Sequence, residues 1–179
     1  MGVWGFNPRY LTGTFLYSLP VEEVLFFVCI PYACVFTYEA VNYLMRWRLS
    51  QKHTDLISSL LIGLLFVLGA IHYDQWYTSV TFILLAIFLA LHRWVWKSEY
   101  LGKFYVAFIF ILIPFFIVNG ILTGTGIEEQ VVWYNDAENL GIRMGTIPVE
   151  DTFYGMLLLL MNVSLFEFLQ KKKGLVTPS

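Results

Sequence analysis

Charge is what this sequence has least of. Charged residues fill 13% of its 179 positions, about half the roughly 25% of an average soluble domain. Hydrophobic residues make up 58% and the mean hydropathy is +0.67, so polar groups are too few to cover a globular surface. That excludes an ordinary soluble domain, and the apolar content excludes disorder. An excess of one sign is missing too. Eleven Lys and Arg against thirteen Asp and Glu leave a formal net charge of −2, with no basic face for nucleic acid. Cysteine is scarce. Cys29 and Cys34 stand five apart in an apolar run, fit no zinc or CxxC spacing, and read as buried structural thiols. No basic stretch followed by an apolar core opens the chain, so no signal peptide is expected. His53, His72 and His92 share no helical ligand spacing, and no metal is expected. Gly124-Thr-Gly126-Ile-Glu-Glu129 lacks the third glycine of a dinucleotide fingerprint, and no cofactor is expected. What is abundant is aromatic surface, 18% of the chain, suited to interfacial belts or to a cavity for an apolar ligand.

Five long apolar runs follow, at about Val21–Tyr43, Leu56–Tyr73, Tyr77–Trp96, Phe104–Leu122 and Thr152–Leu169. Each is close to the roughly 20 residues with which a helix crosses hydrocarbon. None alternates with period 2, so strands are a poor reading. The fold class is an all-α integral membrane protein, a bundle of about five transmembrane helices. Arg46, Arg48, Lys52, Arg93, Lys97, Lys103 and Lys171 to Lys173 fall on one side of the alternating spans. Only Arg9 and Arg143 fall on the other. The positive-inside rule then predicts a cell-membrane protein with its N-terminus outside and its C-terminus in the cytoplasm. Residues 1–19 and roughly 123–147 lie outside. A structureless loop of that length is usually functional, and both segments are expected to fold back over the outer mouth of the bundle.

The sequence repeats itself. Ser18-Leu-Pro-Val-Glu-Glu23 returns as Thr146-Ile-Pro-Val-Glu-Asp151 at an offset of 128, which also carries Phe26 onto Tyr154 and Glu39 onto Glu167. With one gap, Val3-Trp4 matches Val132-Trp133. The first and last spans run the same way, so the repeat is parallel, with a pseudo-twofold along the membrane normal. The chain reads as a single membrane domain over 1–179. Residues 1–43 are the remnant of a first repeat, 56–73 a linking helix, 77–170 a second repeat, and 171–179 a cytoplasmic tail. Two helices precede the second copy of the motif and none precedes the first, so two helices are expected to be missing.

Each copy starts a helix, with Pro20 and Pro148 suited to the first helical position. Glu22, Glu23, Glu150 and Asp151 then sit in first turns, where acids complement the helix dipole for about 0.3–1 kcal/mol. Dipole matching alone does not ask for adjacent pairs, in both copies, against a hydrocarbon span. Neighbouring carboxylates in a low dielectric resist double ionisation, so such a pair can act as acid and base in turn. Glu39 lies 17 residues beyond Glu22, roughly 25 Å along the helix. It cannot share that site and reads as an interfacial ion-pair partner for Arg46. Pro31 and Pro114 fall mid-span, where they kink helices.

The segments Gly2-Val-Trp-Gly-Phe-Asn-Pro8, Leu19-Pro-Val-Glu-Glu23 and Ile147-Pro-Val-Glu-Asp151, with Tyr134-Asn135 and Gly141-Ile-Arg143, resemble the membrane-embedded lycopene cyclases. The resemblance implies cyclisation of the linear ends of lycopene or a related carotenoid within the lipid bilayer, an isomerisation without metal or cofactor. It implies Glu22, Glu23, Glu150 and Asp151 as the acid–base residues. Trp4, Phe26, Asn119, Trp133 and Tyr154 are the candidates for holding the substrate. The family pattern has two helices ahead of the loop that starts here. A shortened sequence, or a partner subunit or homo-oligomer supplying those helices, are the alternatives. The competing readings are a transporter or proton pathway built on intramembrane acids, and a non-catalytic membrane subunit of a pigment-making assembly. A transporter should carry its acids at the midplane of broken helices, whereas these stand at helix starts.

Overall fold

The computed structural model describes residues 2–172, so Met1 and the tail 173–179, Lys173 included, lie outside the described residues. Five helices dominate: α1 (Val21–Met45), α2 (Gln51–Ile71), α3 (Trp76–Ala90), α4 (Leu101–Leu122) and α5 (Val149–Lys172). A π-turn over Leu91–Val95 prolongs α3. All five are long and apolar enough to cross a membrane, and the protein is a multi-pass bundle. The helices run past the apolar runs at several ends, because polar residues continue them beyond the hydrocarbon. Ser50, for instance, caps α2 by accepting the His53 N–H, six residues before the apolar stretch begins at Leu56.

α2 packs chiefly on α3, α3 on α5, and α1 against α4 and α5. Lipid is as apolar as leucine, so packing here rests on close approach and polar contacts rather than on hydrophobic burial. Gly69 lets α3 approach α2: a Cβ there would meet Ile83 at 2.9 Å. Ser58 on α2 meets the Tyr105 hydroxyl on α4 at 2.8 Å. His92, in the π-turn, is fully buried and meets Ser164 on α5 through Nε2 at 3.0 Å. It is a helix-to-helix contact rather than a free histidine at a span end. Arg93 donates to the Asp55 carbonyl across α3 and α2. The thiols are not buried as expected. Cys29 is exposed on the outer face of α1, and Cys34 is half-buried on its inner face.

The two outer segments carry short strands: β1 (Trp4–Phe6), β2 (Phe15–Leu16), β3 (Leu19–Pro20), β4 (Val132–Tyr134), β5 (Arg143–Met144) and β6 (Ile147–Pro148). β2–β3 and β5–β6 are hairpins leading into α1 and α5. Pro20 and Pro148 are the last strand residues, one position before the helices begin. Pro20 has φ −58° and ψ 144°, so its fixed φ serves an extended exit rather than a first helical turn. Pro31 and Pro114 lie inside continuous helices.

The offset of 128 recurs bond by bond. The Val21 N–H donates to the Thr14 carbonyl and the Val149 N–H to the Ile142 carbonyl, both at 3.0 Å. Each hairpin turns through a left-handed residue, Tyr17 (φ 56°) and Gly145 (φ 67°), and Gly13 (φ 80°) corresponds to Gly141 (φ 67°). β1 and β4 pair antiparallel with Gly5 opposite Trp133. The Asn7 N–H donates to the Val131 carbonyl and the Asn135 N–H to the Val3 carbonyl, both at 2.9 Å. Those two bonds exchange under the offset with no gap. Val3-Trp4 therefore does not correspond to Val132-Trp133: Trp4 corresponds to Val132, and Trp133 to Gly5.

Candidate active site

α1 and α5 run in the same direction. Near their starts, Glu23 and Asp151 line one cavity. Near their ends, the Tyr38 hydroxyl donates to Glu167. From α1 the cavity receives Glu23, Phe26, Phe27, Ile30, Pro31 and Cys34, and from α5 Asp151, Tyr154, Gly155, Leu158 and Leu159. Both sets follow the i, i+3, i+4, i+7 stripe of one helix face, and the offset of 128 carries all of the first but Cys34 onto the second. α4 closes a side with Phe108, Phe115 and Asn119 among others, and Tyr77 of α3 closes another. The β1–β4 ribbon roofs it with Trp4, Phe6, Val132 and Tyr134. The cavity thus lies between α1 and α5, with one acid from each copy of the motif in its lining. Its volume of about 170 Å³ far exceeds the roughly 10–15 Å³ that one water needs. Nearly all of its lining is apolar or aromatic.

Four of the five candidate binding residues, Trp4, Phe26, Asn119 and Tyr154, line this cavity, and Trp133 does not. The reason is the period of a strand. In β4, Val132 and Tyr134 point inward, so Trp133 points out. It packs over Gly5, where a Cβ would meet its ring at 2.5 Å. Gly5 is the one ribbon position that must lack a side chain.

The four acids separate into two kinds. Successive helical residues point about 100° apart, so only one acid of each pair faces inward. Glu150 is fully buried, and its Oε1 accepts from the Thr78 hydroxyl at 2.6 Å and the Leu140 N–H at 2.8 Å. Glu22 does the same at its own end, accepting from the Thr12 N–H at 2.7 Å. Thr12 corresponds to Leu140 under the repeat. These two acids tie each outer segment to the helix it precedes. The Oε2 atoms of both are buried without a hydrogen-bond partner among the described residues.

Asp151 is almost fully buried. It accepts from the Tyr134 hydroxyl at 2.8 Å through Oδ2 and from the Tyr77 hydroxyl through Oδ1. The two tyrosine rings stack at 5.9 Å. Burial, then the Asp151 carboxylate beside it, pushes the Tyr134 phenol well above its ordinary range, so it stays a donor. Tyr77 is held in place by the outer segment, because the Trp76 N–H donates to the Glu138 carboxylate at 3.2 Å and the Tyr77 N–H to the Glu138 carbonyl at 3.0 Å. These bonds satisfy orphan N–H groups at the start of α3. Glu23 accepts no hydrogen bond among the described residues. Its counterpart to Tyr134 is Phe6, which has no hydroxyl.

Sequence reading missed Tyr77 and Tyr134 as partners of Asp151. Tyr134 could have been found by the ungapped offset, which sets it opposite Phe6 on the inward face of the ribbon. Tyr77 carries no repeat signal. Glu39 is exposed and makes no ion pair with Arg46 among the described residues. Glu167 lies at the far end of α5, away from the cavity.

The bundle thus sets one carboxyl from each copy of the motif against an apolar, aromatic cavity. The family model described as lycopene cyclase matches residues 1–41 and 74–169, and the chain belongs to the lycopene cyclase family. The match takes in both copies of the motif and passes over α2. Membership places the chain in carotenoid biosynthesis at a membrane, with a carotenoid as its substrate class. No curated protein and no solved structure matches the chain.

Proposed function

We propose that the cavity cyclises the linear ends of lycopene or a closely related carotenoid, by proton transfer between carboxylates and the hydrocarbon. The observation that carries this reading is the placement of Glu23 and Asp151 in one apolar cavity between α1 and α5. Ring closure needs an acid to protonate the terminal double bond and a base to remove a proton from the closed ring. It also needs a dry pocket in which the intermediate cation survives. Carboxyls serve the first two needs. Aromatic faces, here Trp4, Phe6, Phe26, Phe115, Tyr134 and Tyr154, stabilise the cation. The reaction is an isomerisation. Expressed in cells that accumulate lycopene, the full gene product should yield cyclic carotenoids of the same mass as lycopene, separable by chromatography. Products of altered mass, or none, would remove the reading.

The same reading sets the orientation. Arg46, Arg48, Lys52, Arg93, Lys97, Lys103, Lys171 and Lys172 stand at or between the helix ends opposite the ribbon. The basic end faces the cytoplasm, and the cavity opens toward the outer half of the bilayer. Reporters fused after Lys173 should be active as cytoplasmic reporters and silent as periplasmic ones. The reverse pattern would invert the protein.

A further inference from the structure

We infer that the two cavity carboxyls have fixed and different roles: Glu23 donates the proton that opens the reaction, and Asp151, held by Tyr77 and Tyr134, is the base that ends it. This rests on the cyclisation reading above and deepens it.

The asymmetry lies in the hydroxyls. The repeats give each acid an equivalent backbone setting, yet their surroundings differ. Asp151 receives one phenolic O–H on each carboxylate oxygen, from Tyr134 at 2.8 Å and from Tyr77. Hydrogen bonds donated to a carboxylate favour its charged form, and charge-assisted bonds of this kind are the strong ones. Glu23 has no such donor, because Phe6 stands where its Tyr134 would be. An apolar setting without donors favours the neutral acid. One cavity therefore presents a carboxyl without hydroxyl donors on one wall and a carboxyl with two of them on the opposite wall.

The step balances. The Glu23 O–H proton adds to the CH carbon of the terminal double bond, whose π pair forms the new C–H bond. The tertiary cation left at the dimethyl carbon is attacked by the π pair of the next trisubstituted double bond. That forms the ring C–C bond and a second tertiary cation. Asp151 takes a proton from a carbon beside this cation, and the released C–H pair becomes the ring double bond. Glu23 is then the anion and Asp151 the acid, and one proton returns from Asp151 to Glu23 before the next turnover. Nothing is oxidised or reduced.

Isotope labelling separates the roles. The full gene product, in membranes suspended in heavy water, is given lycopene. With Glu23→Gln, recovered lycopene should be free of deuterium, because no proton is delivered. With Asp151→Asn, protonation proceeds but termination does not. The cation should then lose a different proton to another acceptor, which leaves deuterium at the protonated carbon of diverted ring or double-bond isomers. Any other pattern of label between these two variants overturns the assignment. Parental turnover in both variants would take both acids out of the chemistry, whereas a parental protein that forms no cyclic product would bring down the cyclisation reading itself.

A pH profile tests the tyrosines. The titratable and charged groups facing Asp151 are Tyr77 from α3, Tyr134 from β4, Glu23 from α1 and Arg143 from β5, with Glu150 and Tyr154 on its own helix. Tyr134→Phe removes one donor and keeps the ring. The base should then hold its proton to higher pH, and the low-pH limb of kcat/KM should move up by about one pH unit or more, the size that the loss of one hydrogen bond to a charged group corresponds to. Tyr77→Phe should move it the same way. A Tyr134→Phe profile that falls in height with its low-pH limb unmoved overturns the positioning role.

Discussion

Glu23→Gln and Asp151→Asn should each lower the turnover of linear carotenoid by roughly 10²-fold or more, the usual share of general acid–base catalysis. The amount of protein in the membrane should stay close to the parental level. Both replacements keep the shape of the side chain and remove the proton that titrates. Neither residue holds the fold together. Glu23 makes no hydrogen bond among the described residues, and an amide at position 151 still offers an oxygen to one of the two tyrosines. The measurement is the rate of cyclic product formation, normalised to membrane protein. Parental rates in both variants would reduce these acids to dipole complements at helix starts.

Glu150→Ala should act on folding instead. Its buried carboxylate binds Thr78 and the Leu140 N–H at once. Truncation loses hydrogen bonds worth about 1.5–3 kcal/mol and strands the buried Thr78 hydroxyl at a further cost of ~1–3 kcal/mol. The expected loss of stability is on the order of 3 kcal/mol. It should be read as earlier thermal unfolding in detergent and as faster proteolysis of the 132–148 segment. Glu22→Ala should lose less, because its partner Thr12 is exposed. Equal destabilisation by the two substitutions would contradict the difference in their burial.

Much of this architecture is legible in the order of the amino acids. Five spans follow from runs of apolar residues, since lipid admits helices with every backbone bond made internally. The paired acids follow from a six-residue word that occurs twice. Which acid of each pair faces the cavity is also written in the chain, though less plainly. Glu23 shares a helical stripe with Phe26, Phe27, Ile30, Pro31 and Cys34, and Glu22 falls off it. The ribbon is not legible in this way. Three-residue strands 128 positions apart carry too little pattern to announce a pairing, and inserting a gap puts Trp133 on the wrong face. The Tyr77 contact arises only when α3 and α5 pack together, and no local period records a meeting of that kind.

The ribbon also has a consequence in time. β4 is made 128 positions after its partner β1. At about 5–20 residues per second, the pace of synthesis, that is roughly 6–25 s. For most of that interval, once Val21–Met45 has been made, α1 is long enough to span the bilayer, yet the roof over Glu23 has no second strand. The half-site from the first repeat waits in the membrane, uncovered and without Asp151, until β4 and α5 are made. Whatever guards an acid beside hydrocarbon during those seconds has to come from lipid or from the insertion machinery, because the chain's own cover does not yet exist.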